Sequence, residues 1–166
     1  MFTRILVPTD FSEPSDAAIL YATELASRFG ATIHLIHVVE SPIVTGAFGV
    51  EAYSPESPGV FAALRADAEF KLSERLNGVR RAGVSATCEV LDGPTAPTIV
   101  SAAGELAIDL IVMGTHGRVG MAHAIMGSVA ERVVRVASCP VLTVHVKPQR
   151  QPCAVPAVER ANLALA

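Results

Sequence analysis

Two hydrophobic rhythms alternate along the chain. In short runs nearly every position is apolar; between them lie longer stretches where apolar residues return every third or fourth place. The first rhythm reads as strands buried on both faces, the second as helices with one apolar stripe. Arg4–Val7 is a first strand. Ser12 is placed to cap a helix whose first turn holds Pro14; Ala18, Tyr21, Ala22, Leu25 and Phe29 supply its stripe, and Gly30 ends it. Thr32–Val39 is a second strand, interrupted by His34 and His37, which are expected to be hydrogen-bonded structural residues. Residues 41–60, rich in Pro, Gly and Ser, read as a long loop of the kind that forms lids or flaps. A helix with Phe61, Leu64, Ala68, Leu72, Leu76 and Val79 on one face follows, ending at Gly83. Ser85–Leu91 is a third strand, and Thr95 is a candidate cap for a helix through Ile99, Ala103 and Leu106. Asp109–Met113 is a fourth strand. Ser128 opens a last helix with Val129, Val133 and Val136, which Cys139-Pro140 terminates, and Val141–Val146 is a fifth strand.

Strand and helix thus alternate almost throughout, the pattern of an α/β fold: a parallel sheet built by right-handed crossovers, with helices on both faces. One domain is expected over residues 1–147. The remainder, 148–166, carries Pro148, Pro152 and Pro156 and reads as an appendage that is at least partly disordered. No internal repeat is evident.

Composition narrows the function classes. Of 166 residues, 51% are hydrophobic and 17% charged, enough apolar material for a substantial core. The net charge of −3 argues against nucleic acid as a partner, and Arg75, Arg80 and Arg81 read as the wet face of a helix. No apolar run is long enough to span a bilayer, and MFTRILVPTD lacks the features of a signal peptide, so no membrane partner and a cytoplasmic location are expected. Cys88, Cys139 and Cys153 are odd in number and show no C-x-x-C spacing, so neither a disulfide framework nor a zinc site is indicated.

The chemistry concentrates in GTHGRVGMAHAIMGS, residues 114–128, directly after the apolar run DLIVM. An open parallel sheet binds ligands at the carboxyl ends of its strands, where strand order reverses. If strand four lies beside strand one, the loop of Pro8, Thr9 and Asp10 faces the loop that starts at Gly114. Glycines let a ligand approach the backbone, and a helix N-terminus favours an anion, so this stretch has the parts of a phosphate cradle. Asp10 is suited to accept hydrogen bonds from ribose hydroxyls. A plainer reading stays open: Ser128-Val-Ala-Glu131 has capping-box spacing, and glycines also build ordinary turns. No Gly-Lys-Ser/Thr triplet exists for a P-loop, and VPTDFSEPS has no glycine for a dinucleotide fingerprint.

The frame Gly114-x2-Gly117-x9-Gly127-Ser128 resembles the signature of the ATP-binding branch of the universal stress protein family. ILVPTDFSEPSDAAI, LIHVVE, DLIVMGTHGRVG, MGSVAERVV and CPVLTV extend the resemblance over roughly residues 1–147. It implies an adenine-nucleotide α-hydrolase-like, Rossmann-like fold with five parallel strands in the order 3-2-1-4-5. It also implies a site: Pro8, Thr9 and Asp10 along the adenosine, with Asp10 on the ribose; the backbone of Val38 against adenine; Met113 and Gly114 flanking the nucleotide; Gly117, Gly127, Ser128 and Val129 on the phosphates. Arg118 either forks onto a terminal phosphate or is solvated. The implied cofactor is ATP, with Mg as its accompanying ion and AMP or a cyclic nucleotide as alternatives. The implied assembly is a homodimer through the Val141–Val146 strand.

The function expected from these parts is a nucleotide-binding stress-response module. Hydrolysis needs an oriented water and charge stabilisation at the γ-phosphate, and no convincing base lies near the glycines. G-x-S-x-G and H-E-x-x-H are absent, and the turn TDFSEP has no histidine. Two alternatives remain: a slow ATPase or phosphotransferase using Arg118 and a metal, and a dimeric adaptor whose pocket stays empty.

Overall fold

The computed structural model describes residues 2–40, 43–45, 51–53, 58–115 and 127–146. Within them the elements run β1 (Arg4–Pro8), α1 (Glu13–Phe29), β2 (Thr32–Val39), β3 (Ile43–Thr45), β4 (Glu51–Tyr53), α2 (Pro58–Arg81), β5 (Ala86–Asp92), α3 (Thr95–Glu105), β6 (Leu110–Gly114), α4 (Ser128–Val136) and β7 (Val141–Val144). The main sheet has the order β5-β2-β1-β6-β7, every pair parallel. Counted among its own five strands, that is the expected 3-2-1-4-5.

The apolar runs are strands because both of their faces are covered. Ile5, Leu6 and Val7 of the central strand are all fully buried; Ile5 and Val7 join the cluster under α1 and α2, and Leu6 joins the one under α3 and α4. Alternating side chains thus feed two separate cores. The helices reach the sheet through small residues: Ala18, Ala22 and Ala26 on α1, and Ala96, Ala102 and Ala103 on α3.

Ser12 does occupy the N-cap of α1, and Gly30 ends the helix in the left-handed region at φ 70, where only glycine is unstrained. Several details differ from the sequence expectation. Tyr21 (57% exposed) and Phe29 lie outside the stripe, whose buried members include Ser15 and Ile19. Leu64 and Val136 are likewise exposed. The third main strand starts at Ala86 and runs to Asp92, one residue later at each end than expected. The fourth starts at Leu110, because the Asp109 carboxylate turns back to accept from the N–H (2.7 Å) and hydroxyl (2.8 Å) of Thr3. The fifth ends at Val144. The expected loop at 41–60 contains a small antiparallel pair, β3 with β4, and α2 begins inside its range at Pro58. Arg75 and Arg80 are engaged rather than wet: Arg75 forks onto Asp16 (2.7 and 3.1 Å), and Arg80 donates to the Ala86 carbonyl (2.9 Å). The tail at 148–166 lies outside the described residues.

Candidate functional site

Strand order reverses between β1 and β6, which pair directly through Ile5↔Leu110 and Leu6↔Ile111. The turn after β1 and the chain leaving β6 therefore share one edge, the place where a parallel sheet opens a crevice. Next to it, on the β2 side of β1, lies a cleft of about 360 Å³, lined by Asp10 and Phe11 after β1, His37 to Glu40 from the end of β2, α2 between Leu64 and Lys71, and Thr95; no described residue of β6 or α4 lines it.

The β1 turn is tightly built. Thr9 donates its N–H to the Ile36 carbonyl (2.9 Å), and its hydroxyl lies 3.0 Å from that of Ser15. Phe11 donates its N–H to Thr9 Oγ1 (3.0 Å) and holds φ 65, a strained value for a side chain of this bulk. Three contacts secure it. The His37 ring stacks on Phe11 with centroids 4.4 Å apart, the Arg75 guanidinium lies 4.8 Å from the Phe11 centroid, and His37 Nδ1 lies 2.7 Å from the Thr9 carbonyl. A carbonyl only accepts, so Nδ1 carries the proton. The turn in effect spends strain to hold Asp10 in place.

Asp10 Oδ1 accepts from the Ser12 N–H (3.1 Å) and the Ser12 hydroxyl (2.5 Å). Ser12 therefore gives its hydroxyl to Asp10 instead of capping α1. Burial alone would raise the Asp10 pKa; the hydrogen bonds from Ser12 and Ser15 outweigh it and hold the carboxyl below its ordinary value. Asp10 is thus an ionised acceptor at the mouth of the cleft.

At the β6 side, Gly114 approaches α1 closely. A Cβ there would meet the Pro14 carbonyl carbon at 2.9 Å, so glycine is required by packing alone. Thr115 donates its N–H to Val144 (2.9 Å), and Gly127 donates its N–H to the Thr115 carbonyl (2.7 Å). The two ends of the glycine-rich segment are pinned side by side. Gly127 is the N-cap of α4 at φ −58 and ψ 147, a conformation open to any residue, and Ser128 is the first helical position. The capping box does not form: the Glu131 carboxylate pairs with Arg135 at 2.6 Å instead.

The N-terminus of α3 is closed differently. Pro94, not Thr95, takes the N-cap. Glu40 at the end of β2 accepts from the Thr95 N–H (3.1 Å) and from the Thr95 hydroxyl, across a separation of 55 residues. The Thr95 hydroxyl and N–H hold the Glu40 carboxyl below its ordinary value, against a small opposing effect of burial.

The sequence model of the universal stress protein family matches residues 1–145. The chain belongs to the universal stress protein family. Universal stress protein MJ0531 of Methanocaldococcus jannaschii is 36% identical over 152 residues, covering 91% of this chain and 86% of that protein. The solved structure of MJ0577 from the same organism superimposes with a TM-score of 0.76 at 26% identity, covering 89% of this chain and 99% of the other. The fold is also shared, at 21% identity and TM-score 0.62, with an Archaeoglobus fulgidus universal stress protein in complex with dAMP, over 86% of this chain and 98% of that one.

The positions that the family motif singles out are distributed along one edge. Pro8, Thr9 and Asp10 form the β1 turn, Val38 lines the cleft, and Gly127, Ser128 and Val129 begin α4. The Met113 side chain is buried in the α3–α4 core, and Val129 packs partly against the same cluster. Gly117 and Arg118 lie outside the described residues. Phe11, Glu40 and Lys71 line the cleft as well, and none of them stands out in the sequence. Their contacts join β1 to β2 and α2, and β2 to α3, and no local spacing announces such pairings. No helix among the described residues is long and apolar enough to cross a membrane.

Proposed function

We propose that this universal stress protein binds an adenine nucleotide, ATP foremost, across the crevice, and acts in the cytoplasm as a stress-response module whose occupancy alters its conformation or partners. The adenosine enters the cleft, where Asp10 accepts from ribose hydroxyls and the Val38 backbone meets the base. The phosphates reach the start of α4, where the backbone N–H groups of Ser128 and Val129 and the Ser128 hydroxyl donate; the Gly127 N–H is held by the Thr115 carbonyl, so Gly127 contributes its bare Cα, and Gly117 and Arg118 complete the cradle.

The observation that carries this reading is Gly127. Its backbone angles do not demand glycine, the first-turn carboxylate of the helix it opens, Glu131, pairs with Arg135, and it sits beside Thr115 at the end of β6. Close approach of a ligand explains bare backbone there. Native mass spectrometry of the purified chain, with titration of ATP up to about millimolar concentration, tests it. Retained or titrated adenine nucleotide is the expected result. Absence of both defeats the reading.

The same proposal includes a homodimer through Val141–Val146. What supports it is a difference between the sheet edges. On β5 the Ser85 carbonyl faces β2, so those of Ala86 and Val90 face outward, and Arg80 and Arg65 of α2 occupy them at 2.9 and 3.0 Å. β7 forms the other edge, with Leu142 39% exposed. Among the described residues no side chain is found on the outer carbonyls of β7, and such an edge invites strand pairing. The mass spectrum that reports bound nucleotide also reports subunit number, and a monomer at micromolar concentration would exclude this assembly.

A further inference from the structure

The cleft carries more negative charge than a phosphate site would tolerate. Asp10, Glu40 and Asp67 contribute three carboxylates to its lining, and Lys71, the ammonium among the lining residues, is paired with Asp67 at 2.5 Å. Glu40 differs from the other two in what it occupies. Its carboxylate sits over the first N–H and the hydroxyl of α3, a helix of 11 residues, taking the donors that an incoming anion would use. Two helix N-termini therefore border the crevice, and the protein's own carboxylate fills one of them.

We infer that Glu40 is a specificity-determining residue: by filling the anion position at α3, it restricts the cleft to nucleotides phosphorylated at the 5′ end alone and rejects those with a further phosphate on the ribose 2′ or 3′ oxygen. This rests on the proposed nucleotide site. With the 5′-phosphates directed to α4, the ribose hydroxyls face the wall that holds Asp10 and Glu40. A second phosphate there finds the α3 donors taken and meets the like charges of Asp10, which is half-buried, and of Glu40, which is exposed. Glu40 cannot easily swing aside, because two hydrogen bonds from Thr95 pin it. The Asp10 carboxylate is similarly held by Ser12.

The test is calorimetric titration of the full chain with AMP, adenosine 2′,5′-bisphosphate and adenosine 3′,5′-bisphosphate, repeated for Glu40→Gln and Glu40→Ala. Glutamine keeps an oxygen for the Thr95 N–H and removes only the charge, so that variant carries the test should alanine destabilise the fold. The wild-type chain is expected to bind AMP about tenfold or more tightly than either bisphosphate, and Glu40→Gln to shrink that ratio at least about threefold. Equal wild-type affinity for all three ligands, or a ratio that Glu40→Gln leaves unchanged, overturns the inference while leaving the nucleotide site standing. Failure of the wild-type chain to bind either AMP or ATP defeats the site itself, and this inference with it.

Discussion

The N-termini of α3 and α4 make an instructive pair. Both helices cover the same face of the sheet, pack against each other, and begin at the edge where the strands end. Both therefore aim free N–H groups and a partial positive charge at the crevice. At α3 a carboxylate from a distant part of the chain, Glu40, satisfies that end. At α4 the N-cap has no side chain, and the acidic residue of its first turn, Glu131, is drawn away to Arg135. Equivalent backbone serves stability in one case and, under the proposed function, a ligand in the other. The distinction lies in the side chains that surround each helix start.

The strongest challenge to that contrast is to put a side chain where α4 has none. Gly127→Val is compatible with φ −58, so the fold should survive, with a stability change of no more than about 1 kcal/mol. The isopropyl group would occupy the space proposed for phosphate and lower ATP affinity about 100-fold or more. Calorimetric titration with a thermal melt alongside reads both quantities; an unchanged affinity would mean that α4 holds no ligand. Ser128→Ala is the milder version. Ser128 is the first helical residue rather than the cap, so stability should move by less than about 0.5 kcal/mol, while loss of a hydrogen bond to a charged phosphate weakens binding about tenfold.

The opposite outcome is expected at α3. Glu40→Ala leaves the Thr95 N–H and hydroxyl without their partner and should cost about 1 kcal/mol, read from the urea midpoint. Acid sharpens the point. The folded-state pKa of Glu40 is depressed, so its contribution is fully present above the glutamate pKa of the unfolded chain. It is lost as pH falls through the lower folded value. The stability difference between wild type and Glu40→Gln should therefore be constant near neutrality and shrink in the acid range below the ordinary glutamate value. A difference that persists unchanged at pH 3 would show that charge is not what closes α3.

The sequence announced the layers of this fold more clearly than its caps. Ile5 to Val7 and Leu110 to Met113 are buried on both faces, and such runs are legible because every position must be apolar. Cap assignment by residue type put Ser12, Thr95 and Ser128 at the three helix starts. Only Ser12 holds an N-cap, and even its hydroxyl serves Asp10. Type alone does not choose between adjacent positions, and one residue decides whether a hydroxyl caps its own helix or is free for something else. Tyr21 and Phe29 were misplaced for a related reason: a period of three or four fits more than one stripe, and burial selects the one with Ile19. The glycine frame pointed to the strand-end edge where β6 leaves the sheet beside β1. It did not reveal that Gly114 is demanded by Pro14, whereas Gly127 is not demanded by its backbone. Phe11 and Glu40 were invisible because their partners, His37, Arg75 and Thr95, arrive from distant elements.

The finest adjustment of the contrast concerns what keeps α4 open. Glu131 stands where a capping box would use it, three residues after Ser128, and its carboxylate instead reaches forward to Arg135, one turn along the helix. Both side chains are largely exposed, so the pair itself contributes little, about 0.3–0.5 kcal/mol as for other pairs with this helical spacing. The pair holds a negative charge away from the helix start. Arg135→Ala releases Glu131, whose carboxylate can then turn back toward the first turn, where the macrodipole favours it. Stability should hardly change, since the lost ion pair is offset by the gained end interaction. Nucleotide affinity should fall about two- to threefold, and more at low ionic strength than at high, because the repulsion between carboxylate and phosphate is screened by salt. Titrations at two salt concentrations measure it. A loss of affinity that does not depend on salt would trace the effect to altered helix packing rather than to the charge of Glu131.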